Sequence, residues 1–151
     1  MPRVRAGVAV PGLAFEAEAL WYDPQRWPAW VDGFGHVAKL EGEWPAQGAR
    51  AVWDSRPGGR GRVVERVTAY EARSGQTLDV EDEKMRGTQK VTFEPGPDGV
   101  EVALELEYEL KGANALTPLT DALFIRRALR DSLKRNLTRF ARELRGDREL
   151  L

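Results

Sequence analysis

The side chains best suited to holding a ligand in this sequence are aromatic, because the chain has five tryptophans and a single histidine. Trp27 and Trp30 lie three residues apart, and Trp53 and Tyr108 lie in segments with strand-like patterns. Large flat side chains stack on planar or polyisoprenoid ligands, and they also fill hydrophobic cores. A buried Tyr108 hydroxyl would need a partner, for which a ligand oxygen is one option. The sequence leaves ligand contact and core packing open for each of these residues.

Asp82 is the first acid–base candidate, at the end of a strand-like segment. Strand alternation places Leu78, Val80 and Asp82 on one face. If that face is buried, the Asp82 carboxylate is costly to keep charged, its pKa should rise, and it could act as a general acid or base. The alternative, which the sequence favours, is a strand end that has already reached solvent.

His36 is the second acid–base candidate. A general base needs an orienting partner and a nearby substrate proton, and the sequence around His36 shows neither. A structural or solvated histidine is therefore the favoured interpretation. With one histidine, no cysteine and no carboxylate spacing of an established kind, we expect no metal and no cofactor, and we assign no catalytic residue.

The segment 36–111 has the pattern of antiparallel strands separated by turns. Residues 100–110 alternate strictly, with apolar side chains at the even positions and glutamates at most odd positions. Such alternation predicts one buried face and one solvated face. Turn residues recur throughout the segment, so we predict a meander of about six strands, with residues 3–10 as an earlier strand.

Two short helices are predicted between the first strand and the meander. Residues 13–22 are rich in helix formers, with Leu13 on the same side as Ala17, Leu20 and Trp21. The proline at position 24 ends this helix, and a second helical turn follows.

A long amphipathic helix is predicted at the end of the chain. Residues 117–145 contain no glycine, and apolar side chains recur at steps of three and four residues from Leu129 to Leu144. The helix should begin near Thr117 and end at Gly146, a typical C-terminal capping glycine.

Composition and charge exclude several classes of protein. The chain has 151 residues, 42% of them hydrophobic and 31% charged, which predicts one globular domain over residues 1–151. The net charge of −1 provides no overall field for nucleic acid, and no apolar run is long enough for stable membrane insertion. The absence of cysteine and of a typical signal sequence favours a cytoplasmic location.

Three short motifs resemble the START-domain and polyketide-cyclase/dehydrase superfamily, also called SRPBCC. They are Leu20–Pro24 followed by Trp27–Trp30, then Gly48–Trp53, then Leu133–Leu144. The resemblance implies a helix-grip fold of the α+β class, in which a curved antiparallel sheet of about seven strands wraps around a long C-terminal helix. It also implies a ligand cavity between sheet and helix, with Trp27 and Trp30 at its mouth. The segment Ala72–Gly75 departs from the proline-rich turn of many members.

The function expected from this resemblance is binding or transport of a hydrophobic small molecule, such as a lipid, a quinone or a polyketide-like compound. The residues expected to contact the ligand are all aromatic: Trp27, Trp30, Phe34, Trp53, Phe93, Tyr108 and Phe124. One alternative is a polyketide cyclase or dehydratase, in which Asp82, His36, Tyr108 or Arg62 would supply acid–base chemistry. Binding without catalysis is preferred.

A second alternative is a protein-interaction module that uses the C-terminal helix. Residues 118–146 carry eight basic and three acidic side chains, so this helix is positive on an acidic body. The basic stripe is interpreted as a solvated face, in preference to a site for anionic lipid or RNA. A homodimer is left open.

Overall fold

Seven antiparallel strands form one continuous sheet in the computed structural model, which describes residues 1–112 and 118–150. The sheet order is β1-β7-β6-β5-β4-β3-β2, so every neighbouring pair except β1 and β7 is also consecutive along the chain. This confirms the predicted meander. The strands are β1 (Arg3–Val10), β2 (Phe34–Glu41), β3 (Arg50–Ser55), β4 (Arg62–Glu71), β5 (Gly75–Glu81), β6 (Met85–Gly96) and β7 (Gly99–Leu110).

Two short helices connect β1 to β2, as predicted. They are α1 (Ala14–Trp21) and α2 (Trp27–Trp30), separated by a 3-10 turn at Pro24–Arg26. The Asp23 carboxylate accepts a hydrogen bond of 3.0 Å from the Gln25 backbone N–H, which caps that turn. Leu13 precedes α1 and is 61% exposed, because it is the N-cap residue and does not belong to the buried helix face.

The C-terminal helix α3 spans Leu119–Glu149. The predicted first residue, Thr117, lies outside the described residues, and the predicted end at Gly146 is wrong, because the helix continues through this glycine. A glycine inside a helix costs about 1 kcal/mol relative to alanine. Ion pairs hold the last turn against the helices before β2, with Arg26 at 2.9 Å from Asp147 and Arg148 at 2.6 Å from Glu16.

The core lies between the inner face of the sheet and the C-terminal half of α3. The even positions of β7 from Val100 to Tyr108 are all buried, as the alternation predicted. Leu133 and Leu137 of α3 are buried too, whereas Leu119 and Leu123 in its first turns are exposed. The curved sheet, the two short helices and the long helix together form the predicted α+β helix-grip arrangement.

No helix in residues 1–112 and 118–150 is long and apolar enough to cross a membrane.

Asp32 fastens the connection between α2 and β2 to α3. Its carboxylate accepts hydrogen bonds from Ser132 at 2.9 Å and from Arg135 at 3.0 Å, and Arg139 lies at 3.3 Å. The Asp32 backbone N–H donates to the Asn136 side-chain oxygen at 2.7 Å. Burial opposes ionisation of Asp32, but the hydrogen bonds from Arg135 and Ser132 outweigh it and hold its pKa below the ordinary value. Part of the basic stripe therefore has a structural role.

Candidate functional site

A small cavity lies between the inner face of the sheet and helices α2 and α3. One part of its wall is aromatic, and these side chains come from four elements and one loop. They are Trp21, Trp27, Trp30, Phe34, Trp44 and Trp53. Four of the predicted ligand-contacting residues, Trp27, Trp30, Phe34 and Trp53, are therefore brought together.

The aromatic side chains of this wall pack on one another. The ring centroids of Phe34 and Trp53 lie 5.2 Å apart, and Trp27 meets Trp44 edge-on at 5.5 Å. The Trp27 indole N–H donates to the Trp21 carbonyl oxygen at 2.9 Å, which fixes its ring. Contact with the cavity and core packing, which the sequence left as alternatives, coexist in these side chains.

The cavity is small, with a volume of about 50 Å³. This space holds a few water molecules, whereas an engineered protein cavity that binds benzene measures ~150 Å³. A ring-sized ligand therefore fits only if part of the wall moves.

Trp44 is the part of the wall best placed to move. Among the described residues of the aromatic wall, it alone lies outside a helix or strand, in the connection between β2 and β3. That connection is bounded by Gly42 and Gly48, whose φ angles of 77° and 89° favour glycine. The Gln76 side-chain amide donates to the Pro45 carbonyl oxygen at 3.1 Å and pins this loop to β5.

Glu65 contributes a carboxyl group to the cavity. It lies on the same face of β4 as Val63 and Val67, which are buried. The Trp53 indole N–H donates a 2.7 Å hydrogen bond to Glu65 Oε1. Burial raises the pKa of the Glu65 carboxyl above its ordinary value, an effect that this hydrogen bond and the charge of Arg60 only partly offset. In the described part of the chain, no basic side chain forms an ion pair with Glu65.

Arg60 is the charged residue of the cavity wall, and its charge is already matched. Its Nε lies 2.8 Å from Asp82 Oδ2, and its guanidinium lies 5.7 Å from the ring centroid of Trp53. The other oxygen of Asp82 accepts backbone hydrogen bonds from Lys84 at 2.8 Å and Met85 at 3.0 Å.

Asp82 is buried, as strand alternation placed it. Its side chain is 3% exposed, so the favoured alternative of a solvated strand end is wrong. It closes the turn between β5 and β6 and orients Arg60, and it is not among the residues that line the cavity. Its acid–base role stays a prediction.

Three aromatic candidates lie away from the cavity. Phe93 is fully buried and packs edge-on against Trp21, with ring centroids 6.2 Å apart. Tyr108 is buried beside a separate groove that Leu119 and Leu123 border. Phe124 is 72% exposed on the first turns of α3. The structure does not bring these three residues to the site that Trp27 and Trp53 share.

His36 and Arg62 also lie outside the cavity. The His36 side chain is 71% exposed and lies 3.3 Å from Asp54. Arg62 points to the outer face of the sheet, where its Nε lies 2.9 Å from the same Asp54. The arginine that reaches the cavity is Arg60, because the β3–β4 turn carries it back across Trp53.

Sequence reasoning missed the polar residues of the cavity. They are Arg60, Glu65, Gln76, Gln89 and Asn136. A signal was available for two of the three on strands, Glu65 and Gln89, since each stands in a row of otherwise nonpolar residues on one strand face. Glu65 stands between Val63 and Val67, and Gln89 stands two residues before Val91. A polar side chain at such a position often marks the lining of a site.

Two indole N–H groups at the cavity are buried without a hydrogen-bond acceptor. They belong to Trp30 and Trp44, and this holds for residues 1–112 and 118–150. Buried donors are nearly always paired in native proteins, because an unpaired one costs about 1–3 kcal/mol. Neither nitrogen is accessible from the cavity in this arrangement, so an acceptor on a ligand would reach them only after the wall has moved.

The exposed part of the basic stripe lies on the outer side of α3. The side chains of Arg127, Arg130 and Lys134 are exposed and form no ion pair with any described residue. These three side chains therefore form an exposed basic surface that a partner protein could contact, and the protein-interaction alternative stays a prediction.

The family model described as "Polyketide cyclase / dehydrase and lipid transport" matches residues 1–145. No curated protein matches significantly.

Solved structures share the fold at low sequence identity. Protein TTHA0849 from Thermus thermophilus is 19% identical, with a TM-score of 0.72 over 97% of this chain and 99% of that one. A conserved protein from Geobacillus kaustophilus is 13% identical, with a TM-score of 0.72 over 96% of each chain. DynU16, a protein of the dynemicin biosynthetic locus, is 20% identical, with a TM-score of 0.68. The match to DynU16 covers 95% of this chain and 47% of that protein, so this chain spans about half its length.

Proposed function

Since this chain belongs to the polyketide cyclase/dehydrase and lipid transport family, we propose that it binds a small, planar hydrophobic molecule between its sheet and its C-terminal helix. The observation that carries the proposal is the cavity wall of six aromatic side chains. Aromatic walls with a few placed polar groups are typical of small-molecule sites. Movement of the wall would also let the buried indole donors of Trp30 and Trp44, which have no described acceptor, pair with an acceptor on the ligand.

The cavity volume narrows the class of ligand. About 50 Å³ of free space plus the space freed by displacing Trp44 suits one or two fused rings better than a long lipid chain. Opening the wall breaks the hydrogen bond between the Gln76 side chain and the Pro45 carbonyl, at a net cost of about 1 kcal/mol. It also separates Trp44 from Trp27, an edge-on contact that contributes about 0.5–1.5 kcal/mol. At ~25 cal/mol per Å² of apolar surface, a ring system that buries about 150 Å² gains about 4 kcal/mol, which exceeds this cost.

The cyclase or dehydratase alternative gains no support from the acid–base residues that the sequence offered for it. Its acid–base candidates Asp82, His36, Tyr108 and Arg62 are all absent from the cavity lining. Binding is therefore the function that the arrangement supports best.

Titration of the protein with 2-ethylnaphthalene and 2-acetylnaphthalene, followed by tryptophan fluorescence and calorimetry, tests this proposal. We expect saturable binding of both compounds at a single site. Gln89→Phe should abolish binding, because Gln89 lines the cavity and the larger ring fills it.

Thr88→Phe is the matched control, since Thr88 is the exposed neighbour of Gln89 on the outer face of β6. This variant should bind both compounds as the wild type does. Saturable binding that survives Gln89→Phe would place the ligand elsewhere, and the proposal would be refuted if neither compound bound.

A further inference from the structure

We infer that the polar end of the cavity selects a planar ligand with a neutral carbonyl oxygen, and that the protonated Glu65 carboxyl donates the hydrogen bond to that oxygen. This inference rests on the proposed function and specifies its ligand class. Its grounds are the position of Glu65, the hydrogen bonds of its two oxygens and the charges around it.

The position of Glu65 is fixed by two strands. Its backbone pairs with Ala51 on β3 and with Val80 on β5, both buried residues, so the side chain rises from the middle of the sheet. Antiparallel partners share a face, so the Glu65 carboxyl lies on the face that α3 covers.

The two oxygens of Glu65 differ in their partners. Oε1 accepts the Trp53 indole N–H at 2.7 Å. Within residues 1–112 and 118–150, Oε2 has no hydrogen-bond partner, although Glu65 lines the cavity. One oxygen is thus oriented by the protein, and the other remains for a ligand.

Burial favours the neutral acid of Glu65, and the nearby positive charge of Arg60 offsets this effect only in part. Arg60, from the turn between β3 and β4, is the basic group whose charge acts on Glu65, and Asp82 after β5 accepts its hydrogen bond at 2.8 Å. Helices α2 and α3 present Trp27, Trp30 and Asn136 to the cavity, none of which is charged. Burial without an ion-pair partner therefore keeps the Glu65 pKa raised, and a carboxylic acid has an O–H to donate.

A neutral acceptor is the chemistry that this donor fits. A carbonyl oxygen accepts the Glu65 hydrogen bond and brings no charge into the low-dielectric space. A ligand carboxylate would be buried beside an arginine whose charge Asp82 already balances. An aliphatic ligand of the same shape would leave the Glu65 donor unpaired.

The test compares two ligands of nearly the same shape, 2-acetylnaphthalene and 2-ethylnaphthalene, which differ in one carbonyl oxygen. The wild type should bind the ketone about tenfold more tightly at low pH, the amount typical of one buried hydrogen bond. This preference should vanish as the pH rises through the pKa of Glu65, because the deprotonated carboxylate repels the carbonyl oxygen. Binding of the hydrocarbon should change less.

Two variants of Glu65 separate the effect of its hydrogen-bonding group from the effect of its side-chain size. Glu65→Gln should keep the ketone preference at every pH, since the amide oxygen can accept from Trp53 while the amide N–H donates to the ligand. Glu65→Leu should lose the preference and still bind both compounds. Calorimetry in buffers of different ionisation enthalpy should record proton uptake on ketone binding by the wild type and none by Glu65→Gln.

The outcomes distinguish the inference from the proposed function. If neither compound binds at any pH, the proposed function fails. If both bind equally well to the wild type, or if Glu65→Leu keeps the preference, the inference is overturned and the binding function stands. Tighter binding of 2-naphthylmethylamine than of the ketone would overturn it in favour of a cationic ligand.

Discussion

The Trp53 indole N–H donates a 2.7 Å hydrogen bond to Glu65 Oε1 across the boundary between β3 and β4. The contact turns the carboxyl group toward the aromatic wall of the cavity. It also links Trp53, which the sequence indicated as a possible ligand contact, to Glu65, which the sequence analysis did not identify.

Trp53→Phe removes that donor, and the pKa of Glu65 should rise further, because the hydrogen bond stabilises the carboxylate form. The free energy of unfolding should fall by about 1–2 kcal/mol. Carbon-13 NMR titration of the glutamate carboxyls and urea unfolding measure the two effects. Trp44→Phe is the control, since its indole N–H has no described acceptor and its loss should leave the Glu65 pKa unchanged.

Glu65→Gln should change how stability depends on pH. The folded-state pKa of Glu65 is raised, so its contribution to stability is full below the unfolded-state value of about 4.5 and declines as the pH rises through the folded-state value. The variant has no such decline, so its stability relative to wild type should increase with pH. Urea unfolding from about pH 4 to about pH 9 tests this, with exposed Glu94→Gln as the control. Parallel pH profiles for wild type and Glu65→Gln would contradict the prediction.

Asp32→Asn should loosen α2 from α3 and lower the free energy of unfolding by about 1–3 kcal/mol, since the carboxylate accepts from Ser132, Arg135 and Arg139. The folded-state pKa of Asp32 is lowered, so its contribution is present above its unfolded-state pKa and is lost as the pH falls through the folded-state value. Urea unfolding at several pH values measures both effects. Asp98→Asn, in the exposed β6–β7 turn, should have little effect.

Gln76→Met should release the loop that carries Trp44, because it removes the hydrogen bond to the Pro45 carbonyl at similar side-chain volume. We expect faster amide exchange in residues 42–49 and faster association of 2-ethylnaphthalene, with little change in the structure of the sheet. Hydrogen-exchange mass spectrometry and stopped-flow fluorescence measure these rates. Thr77→Met, at the next position of β5, should leave both rates as they are; unchanged exchange in Gln76→Met would show that Gln76 does not pin the loop.

Gly146→Ala should stabilise the protein by about 0.5–1 kcal/mol, because Gly146 lies inside α3 and no atom would crowd an added Cβ there. A capping glycine would give the opposite sign. Thermal unfolding measures the change. Gly48→Ala is the control and should destabilise the protein, since Gly48 has a φ of 89° that disfavours alanine.

Local pattern sufficed for most of the fold. The alternation along β7 and the apolar stripe of α3 each depend on a period that one buried face imposes, so the sequence alone predicts both elements. The end of α3 could not be predicted in this way. Arg26 and Glu16, which are distant in the sequence, form ion pairs with the residues after Gly146 and hold them in the helix. Local helix propensity does not reflect such long-range contacts.

The candidate site was only partly predictable for a similar reason. Trp27, Trp30, Phe34 and Trp53 were found because their residue type suits a cavity wall. Arg62 was chosen in place of Arg60, since the path of the β3–β4 turn decides which arginine crosses Trp53. Glu65 was missed although its position between two valines on one strand face is visible in the sequence.

The crowding of tryptophans around the cavity gives the protein an optical property of its own. The rings of Trp21 and Trp30 lie 4.4 Å apart, and those of Trp27 and Trp44 lie 5.5 Å apart. At such separations the electronic transitions of neighbouring indoles couple, so the near-ultraviolet circular dichroism reports the angles between rings. A displacement of Trp44 alone would change this spectrum, which makes the closed and open forms of the cavity distinguishable without any added label.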